Sequence, residues 1–415
     1  MQPASSPSRL GRGGEERAGV GSCGLLTTGV VTKYNTCMDE LAQRIEAFIQ
    51  QEPSAGSFDE LALALFARQY SCVEPYRMLC DSLGVTPDNC PAWTDIPLVP
   101  AAAFKRYTLS CVPPNLVKAT YYSSGTTSTE TSKHYLDADA LSLYRTSLRL
   151  GFVSAIPEAV GKRIWALMPS RQQMPNSSLS AMLDMLGAEH FYWEADAHLL
   201  DDLAELTEPI VLFGTAFAFV QLFDMLPEPI TLPAGSVIVE TGGFKGRSRE
   251  VLRSDLYAWF TEKLGADPQL CYSEYGMSEM ASQFYSQGTA DVKRGPHWVR
   301  TRILDPLTGK DAGPGERGLL AHYDLANFNS VMAIQTEDTA STISPVTFPV
   351  SSNPFDERDG DLDAGQSAGV EDGAAGERRR FVRSFVLLGR AQEAELRGCS
   401  LIVEENWNRW RTNEA

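Results

Sequence analysis

An α/β fold is the architecture this sequence predicts, and three observations predict it. Apolar runs of strand length at 163–168, 210–213 and 236–240 alternate with stretches of helical period. A short apolar run also leads into a glycine- and hydroxyl-rich loop, Tyr121-Tyr122-Ser123-Ser124-Gly125-Thr126-Thr127-Ser128. Finally, 415 residues at 43% hydrophobic and 9% aromatic content suffice for a large core and for more than one domain.

Taken in order, residues 1–37 are rich in Gly, Ser and Arg and read as a disordered leader. Glu15-Glu16 stand where a secretory signal would be basic, so a signal peptide is not expected. Helical pattern begins at once in Met38-Asp39-Glu40-Leu41, which points to Met38 as the true start. Residues 39–50 predict an amphipathic helix, because Leu41, Ile45, Phe48 and Ile49 share one face. Residues 58–83 predict a second helical region broken near Pro75. Pro97 and Pro100 forbid helix in 95–100 and leave an extended link. Residues 119–123 predict the strand into the glycine-rich loop, and 137–150 a helix. The segment 341–380 is acidic, Gly/Ala-rich and poor in large apolar residues. It cannot bury enough surface to offset ordering entropy, so it predicts a disordered insertion. Order is expected again from Phe381, in Phe385-Val386-Leu387-Leu388-Gly389-Arg390. The expected organisation is thus a leader (1–37), a large domain (38–340), an insertion (341–380) and a hinge with a short C-terminal element (381–415).

The formal net charge of −17 offers no basic footprint for nucleic acid and no attraction to anionic lipid. It reads as a solubilising surface. No apolar stretch is long enough to span a bilayer. The eight cysteines form no CxxC pair and no cluster with histidine at zinc-ligand spacing. In a chain of this size they read as reduced, mostly buried thiols, and a cytoplasmic location is expected.

Three separated segments carry chemistry. In Ser123 to Ser128, glycine lets backbone N–H groups approach closely and the hydroxyls add rotatable donors, which suits a triphosphate. Glu279, in Tyr275-Gly276-Met277-Ser278-Glu279, is a hard oxygen ligand suited to Mg²⁺. Asp338, in Gln335-Thr336-Glu337-Asp338, can accept hydrogen bonds from ribose hydroxyls. Gly242-Gly243, after the strand at 236–240, can let the backbone approach a purine. Each has a bland reading when taken alone: an ordinary turn, a solvated carboxylate, a helix or turn cap. Their order favours a site that activates a carboxylic acid with ATP.

At these residues the chain resembles the adenylate-forming (ANL) superfamily, and within it the LuxE acyl-protein synthetases, with phenylacetate–CoA ligases as relatives. The resemblance covers roughly residues 38–340 and 381–405. Ser123-Ser124-Gly125-Thr126-Thr127 matches the family's phosphate loop, and Glu240-Thr241-Gly242-Gly243-Phe244-Lys245 falls at its adenine-binding turn. Tyr275-Gly276-Met277-Ser278-Glu279 matches a motif whose Tyr stacks on adenine and whose Glu serves the metal. Thr336-Glu337-Asp338 matches the ribose aspartate, and Leu388-Gly389-Arg390 the hinge between two domains. The resemblance implies an ANL fold and ATP- and Mg²⁺-dependent conversion of an acid, of fatty or other apolar type, to acyl-AMP. It also implies transfer of the acyl group to a cysteine near the C-terminus, for which Cys399 is the fitting position, and onward to an acyl-accepting protein or reductase. Arg397 beside it would favour the thiolate. Small residues in Gly214-Thr215-Ala216-Phe217 read either as a buried helix start or as a wall of the acyl pocket, and His297 either as structural or as a neighbour of the acyl carboxylate.

Departures from the pattern are as informative. Ser128 stands where many relatives carry glycine, and no lysine follows Gly389, so the usual C-terminal catalytic lysine is missing. Lys133 or Arg390 is then expected to balance charge on the α-phosphate. Two other functions compete: an acyl-CoA ligase using free coenzyme A, and a non-catalytic relative that only binds nucleotide or acyl group.

Overall fold

The apolar runs at 163–168, 210–213 and 236–240 become parallel strands at the heart of one large mixed sheet. The computed structural model describes residues 38–51, 56–123, 131–193, 197–242, 251–342, 368–372, 378–382 and 384–391. The leader 1–37 lies outside them.

Three helices come first: α1 (Glu40–Ile49), α2 (Phe58–Cys72) and α3 (Glu74–Ser82). Asp39 caps α1 by accepting from the Leu41 amide, and Ser57 with Glu60 makes a full capping box on α2. The break expected near Pro75 falls at Val73, and Pro75 occupies the first turn of α3, where its missing N–H leaves no bond unmade. The extended link holds β1 (Val99–Pro100), followed by α4 (Ala103–Arg106). A two-stranded antiparallel sheet of β2 (Ala119–Tyr122) and β3 (Lys133–Leu136) brackets the glycine-rich loop. The helix expected at 137–150 is α5 (Ala138–Ala155), capped by Asp137 and one turn longer.

The alternating region runs β4 (Arg163–Leu167), α6 (Ser178–Leu186), β5 (Ala188–Phe191), α7 (Ala197–Ala204), β6 (Ile210–Thr215), α8 (Ala216–Met225), β7 (Val237–Thr241), α9 (Arg253–Leu264) and β8 (Cys271–Tyr275). The strands β5, β4, β6, β7 and β8 lie side by side in that order and are all parallel. Both faces are covered, which is why these runs are apolar throughout rather than alternating with polar residues. Ile164, Ala166, Val211, Phe213, Val237 and Val239 face one core with α1, α2, α5 and α6. Trp165, Leu167, Ile210, Leu212 and Ile238 face a second core with α8 and α9.

Beyond β8 the sheet turns antiparallel through β9 (Phe284–Gln287), β10 (Val292–Arg294), β11 (Val299–Leu304), β12 (Arg317–Asp324), β13 (Ala333–Thr342), β14 (Ala368–Asp372), β15 (Arg378–Val382) and β16 (Ser384–Arg390). From one edge the order is β14-β15-β11-β12-β13-β16-β10-β9-β8, continuing into the parallel half. The hinge strand β16 is therefore an interior strand, paired with β13 on one side and β10 on the other.

Two sequence expectations are corrected here. The segment 341–380 is not disordered throughout, because β13 continues to Thr342 and residues 368–372 pair with 378–382. The register sets Glu371 across from Arg379 and Asp372 across from Arg378. Residues 343–367 and 373–377 lie outside the described residues. Nor are all cysteines reduced: Cys72 and Cys111 form a disulfide, their Cα atoms 5.1 Å apart across a sequence separation of 39. The Cys111 amide donates to the Asn329 carbonyl and Gln69, one turn before Cys72, donates to the Asn327 carbonyl, so the 327–329 turn brings the two cysteines together, which spacing alone does not reveal. Cys80, Cys90 and Cys271 are buried and outside any disulfide among the described residues.

Register decides where a site can form. Thr215 pairs with Thr241, and Thr241 with Glu274, so the carboxyl ends of β6, β7 and β8 lie level. In an open parallel sheet the crevice beyond those ends is where ligands bind.

Candidate active site

Glu279 sits in the turn after β8 and is only 7% exposed. Its Oε1 accepts from the Ser132 hydroxyl at 2.5 Å. Ser132 is the residue before β3, and its amide donates to the Ser123 hydroxyl oxygen at 3.1 Å. The Ser123 amide in turn donates to the Ser132 carbonyl at 3.2 Å. The two ends of the glycine-rich loop are thus clasped directly at the buried carboxylate. Burial pushes the Glu279 carboxyl above its usual range, while Ser132, its own backbone, Lys105 and Arg390 pull it back. An anion in so dry a place has room for a cation's charge, and a carboxylate oxygen is the donor type Mg²⁺ takes. Glu279 would hold that ion.

The turn under Glu279 is held from below. Asn327 Nδ2 donates to the Glu279 carbonyl at 2.8 Å and to the Val331 carbonyl at 2.9 Å. Asp324, fully buried, accepts from the Ala281 amide at 3.0 Å, the Ser282 hydroxyl at 2.8 Å and the Ala326 amide at 3.0 Å. Gln69 of α2 donates to the Asn327 carbonyl at 2.8 Å and accepts from the Met332 amide at 2.9 Å. Each such donor left unpaired in the interior would cost about 1–3 kcal/mol, so the turn's position is strongly determined.

A second cluster lies across the same crevice. The Tyr275 hydroxyl donates to Asp338 Oδ2 at 2.8 Å. Arg390 Nε stands 3.2 Å from Asp338 Oδ1, and its Nη1 2.6 Å from Glu337 Oε2. The pairing of Asp338 opposite Arg390 on β13 and β16 makes this possible. The Asp338 amide donates to the Thr336 hydroxyl oxygen at 3.1 Å, fixing the strand's local bend. Burial, and then the Asp338 charge, hold the Tyr275 phenol well above its usual range, so it donates rather than ionises. The Arg390 charge acts on Tyr275 and on Glu279 alike, and so links the two clusters.

Of the residues expected from sequence, Ser123 is joined to Glu279 through Ser132, Tyr275, Asp338 and Arg390 form one cluster, and Gly276 and Ser278 lie in the turn between Tyr275 and Glu279. The Ser278 hydroxyl lies 3.1 Å from that of Ser178. Gly242 ends β7 with φ of 69°, a conformation that glycine adopts without strain. Ser124, Gly125, Thr126, Thr127, Gly243 and Cys399 lie outside the described residues. Lys133 is not brought to this cluster: it is exposed, and the period of two along β3 turns Ser132 and His134 inward in its place. Nor is His297, whose Nε2 lies 2.9 Å from the Phe48 carbonyl and whose ring packs against Phe48 and Trp298. Gly214 is small for a packing reason, since an added Cβ would lie 3.0 Å from Leu167 Cβ and 3.1 Å from the Phe219 ring. Thr215 caps α8, and Ala216 is buried in the second core beside the half-buried Phe217.

Sequence reasoning missed Ser132, His134, Asp324 and Asn327. The alternation in Ser132-Lys133-His134-Tyr135-Leu136 was the available signal for the first two. His134 is 4% exposed and faces the Ser278 and Glu279 backbone; burial lowers its pKa to about 4. With the folded value below the unfolded 6.5, its contribution to stability is intact above pH 6.5 and is lost as pH falls towards 4. We expect the His134 imidazole, assigned by NMR against His134→Gln, to titrate near pH 4 in the folded chain. A midpoint near 6.5 would show that the ring is open to water and does not back Glu279.

Over 302 residues the chain is 26% identical to the long-chain-fatty-acid–luciferin-component ligase of Aliivibrio fischeri, covering 68% of this chain and 78% of that protein. Over 303 residues it is 25% identical to the ligase of the same name from Vibrio harveyi, covering 67% and 77%. Among solved structures, an open conformation of 2-hydroxyisobutyryl-CoA ligase in complex with 2-HIB-AMP and CoA matches with a TM-score of 0.54 at 12% identity, over 85% of this chain and 74% of that one. The same ligase in its thioesterification state matches with a TM-score of 0.53 at 13% identity, over 85% and 68%. The structural likenesses show that the chain has the fold of the 2-hydroxyisobutyryl-CoA ligase. No protein-family model matches the chain.

Proposed function

We propose that this chain is an ATP-dependent acid–thiol ligase that activates a carboxylic acid, of long-chain fatty type as in the ligases it resembles, to acyl-AMP. The observation that carries this reading is the convergence of Glu279 with the Tyr275–Asp338–Arg390 cluster at the carboxyl ends of β7 and β8. In the first step a carboxylate oxygen attacks the α-phosphorus, the bond to the β-phosphate oxygen breaks, and pyrophosphate leaves. The Ser123–Ser132 clasp holds the phosphate loop at Glu279, Asp338 accepts from the ribose hydroxyls, and the Gly242 turn admits the purine beside Tyr275. Mg²⁺ at Glu279 would offset the charge on the phosphates. Arg390 supplies a fixed positive charge between Asp338 and Glu279 in a chain with no lysine after Gly389. The β6–α8 turn at Thr215 to Phe217, level with Thr241, borders the crevice where the acyl chain would lie.

In the second step a cysteine thiolate attacks the acyl carbon, the bond to the phosphate oxygen breaks, and AMP leaves. Cys399 is the proposed acceptor, with an acyl-accepting protein or reductase taking the group onward in the cytoplasm.

Carboxylate-dependent exchange of labelled pyrophosphate into ATP tests the first step. Exchange should appear with long-chain acids, and its absence with every acid from acetate to palmitate would defeat the reading. Binding of ATP without pyrophosphate release would instead make the chain a non-catalytic relative. Thioester formation with free coenzyme A would make CoA the acceptor. For the second step, Cys399→Ser should keep exchange and lose covalent acyl label; label that persists on the variant assigns the carrier elsewhere.

A further inference from the structure

Directly beneath the two turns that edge the crevice lies a buried cluster of charges that the chemistry above does not use. Lys293, in β10, is only 2% exposed. Its Nζ reaches past β9 to β8, donating to the Ser273 carbonyl at 3.1 Å and to the Ser273 hydroxyl oxygen at 2.6 Å. The Ser273 hydroxyl bonds in turn to Glu240 of β7, the residue directly across from it in the register. Glu240 and Glu274 are 5% and 6% exposed. The Thr241 hydroxyl donates to Glu274 Oε2. Arg253, at the start of α9, stands 4.0 Å from Glu240 Oε1 and is itself paired with Asp291.

The location is what makes this cluster informative. Glu240 and Thr241 immediately precede Gly242, and Ser273 and Glu274 immediately precede Tyr275. Lys293 also pairs with Phe385 of β16, whose ring packs on Tyr275 at 6.0 Å. One buried ammonium thus bonds to the strand that ends at Tyr275, reaches the strand that ends before Gly242 through the Ser273 hydroxyl, and lies beside the strand that delivers Arg390. Two carboxylates so deep repel each other unless a cation lies between them, and isolated charges there are costly.

We propose that Lys293 is a positioning residue: its buried ammonium, held by Ser273 and linked through the Ser273 hydroxyl to Glu240, draws the ends of β7 and β8 together and so sets the affinity of the crevice for ATP. This rests on the ATP-dependent reading given above. Lys293 touches no reacting atom. It acts through Gly242 and Tyr275, so losing it should weaken ATP binding far more than it slows the chemical step.

The charged and titratable groups facing Lys293 are Glu240 from β7, Glu274 from β8 and Arg253 from α9. Tyr257 of α9 and Tyr285 of β9 lie against the two carboxylates. Burial lowers the Lys293 ammonium to about 8, so it loses its proton as pH rises through that value. In the intact protein the KM for ATP in pyrophosphate exchange should therefore climb above pH 8. Lys293→Arg keeps a charge that does not titrate in this range and should flatten that limb. Lys293→Met should raise the KM for ATP about tenfold or more, with kcat changed about threefold at most. The double variant Lys293→Met with Glu240→Gln should recover part of the lost affinity, because it removes the unbalanced carboxylate.

The rise in melting midpoint on adding ATP, read on the same proteins, should fall with Lys293→Met and be restored in part by the double variant. Should Lys293→Met fail to fold, the pH profile of Lys293→Arg decides. A KM and an alkaline limb identical in the wild type and in Lys293→Arg would overturn the proposal, as would a Lys293→Met protein that loses stability with its KM unchanged. If the wild type shows the ATP-induced shift but no exchange with any acid, the ligase reading fails while the shift still reports on Lys293. If it shows neither, both fall.

Discussion

Glu279→Gln is expected to lower acid-dependent pyrophosphate exchange by about a hundredfold or more, the scale on which a fixed electrostatic partner of the reacting phosphates acts. The substitution keeps the shape and keeps an oxygen that can accept from Ser132, whose hydroxyl lies 2.5 Å from Oε1 in the wild type. The Asn327 and Asp324 bonds that hold the turn run to backbone and to Ser282, so they survive the change. What disappears is one negative charge in a place 7% exposed, where little solvent screens it. The Mg²⁺ concentration for half-maximal exchange should therefore rise along with the fall in rate. A lowered melting midpoint with an unchanged magnesium requirement would show that Glu279 is a structural carboxylate and not the metal's ligand.

Asp338→Ala carries the second-largest expected effect, a rise of about 30- to 100-fold in the KM for ATP. Hydrogen bonds to a charged acceptor contribute about 1.5–3 kcal/mol each, and a carboxylate can serve both ribose hydroxyls. In the ligand-free structure the two carboxylate oxygens are engaged by Tyr275 and Arg390. Removing the carboxylate frees the Tyr275 phenol and leaves Arg390 with Glu337 as its remaining partner at 2.6 Å. The guanidinium should drift towards Glu337, taking positive charge away from Glu279. Some loss of kcat should therefore accompany the larger change in KM. Tyr275→Phe removes one hydroxyl and leaves the carboxylate, so its effect on KM should be several times smaller. If Asp338→Ala binds ATP as the wild type does, the ribose contact lies elsewhere.

The parts of the site that sequence made legible are contiguous. Tyr275-Gly276-Met277-Ser278-Glu279 runs off the end of β8 and Thr336-Glu337-Asp338 lies within β13, and their chemistry is visible in residue type and order alone. The strands at 163–168, 210–213 and 236–240 were legible because parallel strands covered on both faces must be apolar along their whole length. The breaks at Pro75, Pro97 and Pro100 were legible because proline acts through its own backbone, whatever surrounds it.

The misreadings share one cause, which is that a partner distant in the chain decides the role. Lys133 drew attention as the first lysine after the phosphate loop, yet Ser132 and His134 face Glu279, because the pairing of β3 with β2 determines which side of the strand turns inward. Asp324 and Asn327 look like ordinary turn residues until β12 and the following turn bring them under residues 279–282. Lys293 looks like a surface cation in Val292-Lys293-Arg294, and only the neighbouring strands bury it against Glu240 and Glu274. The strands at 368–372 and 378–382 were hidden by a composition argument that averages over a segment, whereas pairing depends on register.

By itself the sequence determined the α/β class, the likeness to adenylate-forming ligases and the short motifs, because strand periodicity, proline geometry and motif order are local properties of the chain. Only the tertiary structure decided that Ser132 is the hydroxyl on Glu279, that Arg390 reaches Asp338 from an interior strand, and that Lys293 lies beneath the nucleotide turns. Those contacts join residues 20 to 147 positions apart. Sheet order and register create them, and neither is written in any one stretch of sequence.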